Sequence, residues 1–311
     1  FLDAAVCNPP FTTPAWRPHF LEILESVGLS GSYPYLRRVD AAVLFLAQNL
    51  ALIDRGATLG IVLPDSLVSS ARYKEFRREL LSRYEVLRVI KLPRNAFRNT
   101  EALAHIAILR KTKPVLERIE IGEVAARLPD ERIYVDRHEA IERLDFDFHV
   151  ERRLSIRKRN ATTLKEVARR LQRGSVSSAE ARSLGVNALH TTSITSAMYG
   201  LWCDLRSFSR CIRSRDVVRA QPGDILVARV GRNLEQKVIG VKSGTPVISD
   251  CLYLIRVEKA LRESVLRELS SPMGRKWLIS RSYGVAARQL TKADLLQFPV
   301  EVSKSKRQSS R

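Results

Sequence analysis

The 311-residue chain has 14 glycines but no Gly-x-Gly pair, and it has no Gly-x-x-x-x-Gly-Lys-(Ser/Thr) run. The first absence leaves no glycine loop for a cofactor's phosphate or amino-acid group. The second argues against a nucleotide hydrolase. Cysteines are few (Cys7, Cys203, Cys211 and Cys251), and no two stand at Cys-x-x-Cys spacing. That excludes a thiolate zinc set and fits free thiols in a reducing, cytoplasmic compartment. The five histidines, His19, His105, His138, His149 and His190, lack metal-ligand spacing. The longest apolar run, residues 41–53, is interrupted by Gln48 and Asn49 and is too short to span a bilayer, so no membrane partner is expected. No signal-peptide pattern is present.

Acidic residues are scarce relative to basic ones, 33 against 53, which leaves a net charge of +20. A polyanionic partner is the economical explanation. A ribosome-associated protein, or an arginine-rich genome, would give a similar excess. Hydrophobic content of 45% and this length are enough for two domains with separate cores.

What is present begins at residues 1–11, Phe-Leu-Asp-Ala-Ala-Val-Cys-Asn-Pro-Pro-Phe. Residues 2–6 read as a short strand. Pro9 and Pro10 have no N–H and fixed φ, so the strand must end in a stiff turn. Asn8 and Phe11 are thereby held at a strand's carboxyl end, where ligands bind in open α/β sheets. A strand-ending turn without chemistry is the plain alternative. Further along, the spacing predicts helices over 19–27, 39–55 (with Gly56 as its stop) and 71–83, and strands over 58–63, 86–92 and 103–110. Only a short loop, with Asn95, Phe97, Asn99 and Thr100, separates the last two strands, so they are read as antiparallel.

Asn8-Pro9-Pro10-Phe11 resembles the (Asn/Asp/Ser)-Pro-Pro-aromatic motif of the N6-adenine DNA methyltransferases, including restriction–modification subunits. The phrases GIVLPDSLVSS, YKEFRRELL, VIKLPRNAF and EALAHIAILRK are similar to that family in the same order, over about residues 1–113. The resemblance implies that Asn8 and the Pro9 carbonyl accept the two hydrogens of a target amine. Pro10 would stiffen the loop and Phe11 would stack on a flipped adenine. It implies S-adenosylmethionine as methyl donor, touched here at Asn8 and otherwise bound by glycine-rich strands preceding this motif, which are not in this chain. No covalent enzyme–DNA intermediate is implied, so Cys7 is not a nucleophile.

Residues 114–160 read as a connecting segment, with strand-like pieces at 118–121 and 132–135 and a charged helix at 137–144. Residues 151–173 carry nine Arg and Lys against Glu151 and Glu166, which is either a phosphate-contacting stretch or a solvated helix face. The run LKEVARRLQRGS predicts a helix entering a Gly-Ser turn. Short β segments then follow at 186–190, 216–218, 224–230, 237–241, 246–248 and 251–257, with helices at 261–270 and 273–280.

Pro222-Gly-Asp-Ile-Leu226, Ala228-Arg-Val-Gly231 and Gly284-Val-Ala-Ala-Arg-Gln-Leu290 make residues 161–302 similar to the target-recognition domains of type I specificity subunits. Candidate DNA contacts are Arg229, Arg232, Lys237, Arg288, Gln289 and Lys292, with Asn233 and Gln236 beside them. Residues 303–311 read as a basic disordered tail. A weaker resemblance, to Pro-Asp…(Asp/Glu)-x-Lys metal-dependent nucleases, rests on Pro222, Asp224, Glu235 and Lys237.

The expected fold is α/β: the C-terminal half of a Rossmann-like methyltransferase sheet (1–113), then an α+β target-recognition domain. The expected function is site-specific N6-adenine methylation of double-stranded DNA in a restriction–modification system. An N-terminal methyltransferase half or another subunit would be the partner, and the isolated chain would be inactive and would associate through the strand at 2–6. A non-catalytic DNA-binding remnant or split subunit is the alternative.

Overall fold

Apolar residues at strand and helix spacing build two large cores, with a smaller cluster of Val176, Ala181, Val186 and Val247 apart from them. The computed structural model describes residues 2–31, 39–94, 96–98, 102–124, 131–156, 162–183, 185–209, 217–284 and 287–301. It is a mixed α/β structure of two units. One comprises Phe1–Val150 with Tyr283–Ala286, the other Glu151–Ser282 with Ala287–Arg311.

In the first unit, Ala4–Cys7 (β1) is followed by His19–Ser26 (α1), Ala41–Leu52 (α2), Thr58–Pro64 (β2), Asp65–Ser69 (α3) and Lys74–Arg83 (α4). Then come Glu85–Lys91 (β3), Ala104–Arg110 (β4), Arg118–Glu123 (β5), Glu131–Asp136 (β6) and Arg137–Glu142 (α5), and the helix Phe146–Ile156 (α6) starts here and passes into the second unit at Glu151. The six strands form one sheet in the order β1-β2-β4-β3-β5-β6. β1 is parallel to β2 with Cys7 opposite Ile61, and β3 is parallel to β5. β4 is antiparallel to both β2 and β3. Hence β1, β2, β3 and β5 all point one way, and their carboxyl ends share one edge of the sheet. The antiparallel pairing of β3 and β4 is as the short loop required.

α2 is apolar nearly all round, and Ala42, Val43, Leu46, Ala47 and Leu50 are buried among β2 and β3 residues such as Leu59, Ile61 and Val89. It is shorter than its apolar pattern suggests. Ile53 turns extended, and Gly56, with φ +90°, lies in the following turn rather than at the helix end. Gly28, with φ +70°, does end a helix: its N–H and that of Leu29 reach back to Glu25 and Leu24 carbonyls after α1. The chain passes directly from β2 into α3 at Asp65. Residues 118–123 and 131–136, strand-like in sequence, pair with each other and continue the sheet through β3. Residues 157–161 of the basic stretch, and Asn95, Asn99, Thr100 and Cys211, lie outside the described residues, as does the tail from residue 302.

The second unit runs Thr162–Thr163 (β7), Leu164–Val167 (α7), Ala168–Arg173 (β8), Ser178–Ser183 (α8), Trp202–Asp204 (β9), Ile225–Ala228 (β10), Val230–Gly231 (β11) and Val238–Ser243 (β12). It continues through Leu252–Val257 (β13), Arg262–Ser270 (α9), Pro272–Arg281 (α10), Arg288–Gln289 (β14), Lys292–Leu296 (α11) and Pro299–Val300 (β15). Five strands form a sheet ordered β8-β13-β10-β12-β9; two short ladders join β11 to β14 and β15 to β7. β10 is central, and its four residues are all buried, as expected of a strand covered on both faces.

The helix expected over LKEVARRLQR is limited to α7. Thr163 and Glu166 do form the reciprocal cap that starts it. From Ala168 the chain is extended, because pairing with β13 and burial of Leu171 outweigh the helix propensity of ARRLQR. The segment at 186–190 contributes only a bridge, Leu189 to Ile248.

Candidate functional site

The four residues after β1 leave the sheet at its carboxyl edge, beside the end of β2. Pro9 is buried and anchors the turn, Phe11 is half-buried, and Asn8 and Pro10 are exposed. Neither the Asn8 amide nor the Pro9 carbonyl has a protein partner among the described residues. An unpaired amide oxygen and an unpaired carbonyl, on a loop stiffened by two prolines, are two preorganised acceptors. Cys7, just before them, is held by an Asn49 side-chain hydrogen bond, and burial pushes its thiol pKa up. That makes it a poor nucleophile.

The loop after the motif is tied down by α2. Ala41 N–H donates to the Thr12 carbonyl, and the Thr13 hydroxyl donates to Asp40 Oδ1 at 3.0 Å. The Tyr73 hydroxyl donates to the other oxygen of Asp40. Burial, then the bond to Asp40, pushes the Tyr73 phenol well up, so it stays protonated as a donor.

Three further groups stand at the same edge. The Phe97 ring meets Phe11 edge-on, centroids 6.3 Å apart at 73°. Asp65, the first residue of α3, is buried and accepts from the Ser69 hydroxyl at 2.8 Å and the Gly284 N–H at 3.0 Å. Its Oδ1 lies 3.1 Å from His105 Nε2 at the start of β4, and His105 Nδ1 is buried without a partner. Lys91 ends β3 between Glu123, at 2.7 Å, and Asp147, at 2.9 Å. Burial alone would lower the Lys91 pKa, but these two carboxylates outweigh it and hold the ammonium charged. Asp65 and Lys91 were not singled out in the sequence. The available signal was the one that found Asn8: both close a strand at the edge where β1 ends.

In the second unit, the β11–β14 ladder joins two stretches of sequence. Val230 faces Gln289 and Gly231 faces Arg288, so Arg229 and Arg232 stand beside Arg288 and Gln289. Arg232 and Lys292 are exposed and Gln289 is half-buried. The other three candidates are internally placed. Arg229 Nε donates to the Asp250 carbonyl at 2.7 Å. Lys237 Nζ donates to the carbonyls of Thr191 and Ile194, at 2.8 and 2.7 Å. Arg288 is buried, with its Nε lacking an acceptor.

The nuclease set is differently engaged. Asp224 is 1% exposed and holds Arg256 through two bonds of 2.7 and 2.8 Å, while also accepting from the Gln221 N–H. Glu235 is 5% exposed. Neither carboxylate is open to a cation, and no group of three metal-ligating residues occurs among the described residues. No described helix is long and apolar enough to cross a membrane.

Residues 1–138 match the model of the N-6 DNA Methylase family. No curated protein matches the chain significantly. Among solved structures, the type IIL restriction-modification enzyme MmeI, in complex with DNA, is similar over 94% of this chain and 45% of its own, at 13% identity and TM-score 0.53. The type IIG restriction endonuclease BpuSI is similar over 97% of this chain and 47% of its own, at 11% identity and TM-score 0.45. A type I restriction-modification methyltransferase subunit from Streptococcus thermophilus covers 52% of this chain and 32% of its own, at 19% identity and TM-score 0.34. The chain thus spans less than half the length of each of these structures. At such identity the likeness to MmeI concerns the fold.

Proposed function

We propose that this chain carries the target-base site and the DNA-recognition unit of a site-specific N6-adenine DNA methyltransferase of a restriction–modification system. The observation that carries the reading is the Asn8–Phe11 loop, with two unpaired acceptors at the carboxyl edge, inside the stretch that matches the N-6 DNA Methylase model. An exocyclic amine is a weak nucleophile because its lone pair is delocalised into the ring. Asn8 Oδ1 and the Pro9 carbonyl accept its two hydrogens and localise that lone pair. Phe11 stacks on the extruded base, and Phe97 closes one side of the aromatic wall.

S-adenosylmethionine, when bound, supplies a methyl group on a sulfonium. The residues here fit the acceptor side only: Asn8 is positioned for it, but there is no glycine-rich loop to hold the cofactor's remainder. β1 pairs with β2 alone among the described residues, and Val6 on it is 92% exposed. Its free edge is where the strands of a cofactor-binding half would add. The six-stranded sheet, with β4 inserted antiparallel between β2 and β3, supports reading it as the C-terminal half of a Rossmann-like methyltransferase sheet.

In the second unit, Arg232, Gln289 and Lys292 reach solvent and contact DNA. Arg229, Lys237 and Arg288 position the backbone around them.

The test is transfer of labelled methyl from S-adenosylmethionine to duplex DNA, by the chain alone and with a candidate N-terminal partner. Transfer is expected only with the partner, and Asn8→Ala should abolish it while DNA binding persists. Turnover unchanged in Asn8→Ala would refute the site. DNA binding with no transfer under either condition would favour a non-catalytic remnant.

A further inference from the structure

A cavity of ≈ 430 Å³ in the second unit is lined by Arg169, Arg256, Val257, Glu258, Lys259, Ala260 and Arg262. Four cationic side chains thus face one carboxylate. The volume falls within the range of small-ligand pockets.

The fold gathers these residues from three elements. Across β8 and β13, Arg256 faces Arg170 and Val257 faces Ala168, so the register skips Arg169. Arg169 is therefore the extra residue of a β-bulge, a device that re-aims a side chain. Lys259 lies in the turn that follows β13, and Arg262 opens α9.

Two of the four charges are already neutralised. Arg256 is clamped on Asp224, and Arg169 pairs with Glu258 at 2.6 Å. The other two are not. Lys259 has no acceptor among the described residues, and Arg262 Nε is buried without one. Arg262 lies with its guanidinium close against Gly223: a Cβ there would come within 2.1 Å of its Nη1. Its guanidinium lies over the Pro222-Gly223-Asp224 turn, at a residue whose φ of +92° suits glycine. An unpaired guanidinium, lining one pocket with an unpaired ammonium and two paired guanidiniums, lacks only an anion with acceptor oxygens. The two non-bridging oxygens of a phosphodiester can serve the guanidinium's fork and the ammonium together.

We propose that this pocket binds a phosphate oxyanion through Arg262 and Lys259, with Arg169 and Arg256 at its wall. The source is a phosphodiester of the DNA backbone, a choice that rests on the function proposed above. The site is separate from the β11–β14 ladder and adds affinity without reading bases.

The test uses the full chain and a fluorescent duplex, with binding measured across a range of KCl. Lys259→Gln and Arg262→Gln together should weaken binding about tenfold. They should also make the slope of log affinity against log salt shallower by roughly one to two units. Lys276→Gln, an exposed charge outside the pocket, should change neither quantity as much. Arg262→Gln removes packing over Gly223, so Lys259→Gln alone serves as the variant that leaves the fold intact, with a smaller shift in the same direction.

A second arm titrates inorganic phosphate at constant ionic strength and follows thermal unfolding. Stabilisation of the wild type that is lost in the double variant supports the pocket even if DNA binding is unaffected, and then points to a free phosphate as the source. Were the wild type to bind phosphate but no DNA, the pocket would stand and the DNA reading would fall. Unchanged DNA affinity and salt slope in the double variant, with no phosphate-specific stabilisation, overturns the proposal.

Discussion

Phe97 stands edge-on to Phe11 at 6.3 Å, which brings the β3–β4 loop against the ring that ends the Asn-Pro-Pro-Phe turn. The two residues are 86 positions apart and meet because β1 and β3 point the same way. An edge-to-face pair contributes about 0.5–1.5 kcal/mol. Phe97→Ala should therefore weaken binding of a duplex with a destabilised target base by roughly two- to tenfold, with Phe97→Leu in between. Fluorescence of 2-aminopurine at the target position would report the loss of base extrusion. Identical signals for wild type and Phe97→Ala would remove Phe97 from the site.

Arg77 on α4 is fully buried and donates to the carbonyls of Leu67, Ser70, Ile141 and Glu142. Burial depresses its pKa to about 10, with Arg143 adding to the effect. It joins the ends of α3 and α5. Arg77→Met should destabilise the first unit by about 3–5 kcal/mol in urea unfolding, because four carbonyls, two of them in buried bonds, lose their charged donor. A change below about 1 kcal/mol would mean that water replaces the guanidinium.

Asp250 gathers Arg173 and Arg229, and its second oxygen accepts from Cys251. Burial would raise its pKa, but the bonds from Arg173 and Cys251 and the two positive charges outweigh that and lower it. A depressed folded pKa means that its stabilisation is complete above the ordinary aspartate value of ~3.9 and fades as pH falls through the lower folded value. The stability gap between wild type and Asp250→Asn should be constant from pH 7 to 5 and close below about pH 4. A gap that widens on acidification would contradict this sign.

Val6 is 92% exposed on β1, which pairs with one strand among the described residues. An uncovered edge strand with an apolar surface pairs with other chains. The isolated chain should self-associate with rising concentration in sedimentation velocity, and Val6→Lys should shift it towards monomer. Equal association by both forms would place the contact elsewhere.

The N-terminal turn was legible because its constraints are local. Two consecutive prolines must end a strand, whatever surrounds them, and the apolar spacing of α2, β2 and β4 follows from side chains alternating or repeating along one element. Element ends were less legible. Ile53 and Ala168 leave helical geometry where the next strand demands its partner, and no residue near them announces it. ARRLQR is a reasonable helix by propensity and a strand by pairing, since a ladder depends on β13, some 80 residues away.

The sequence by itself determined the chain's basic charge, the alternation that yields two cores, and the stiff turn bearing Asn8 and Phe11. Only the tertiary structure decided which charges are free. Arg229, Lys237 and Arg256 look equivalent to Arg232 or Lys259 in sequence. Folding placed carbonyls and carboxylates against the first three and left the last two without partners among the described residues, because hydrogen-bond satisfaction is set by neighbours in space and not by residue type.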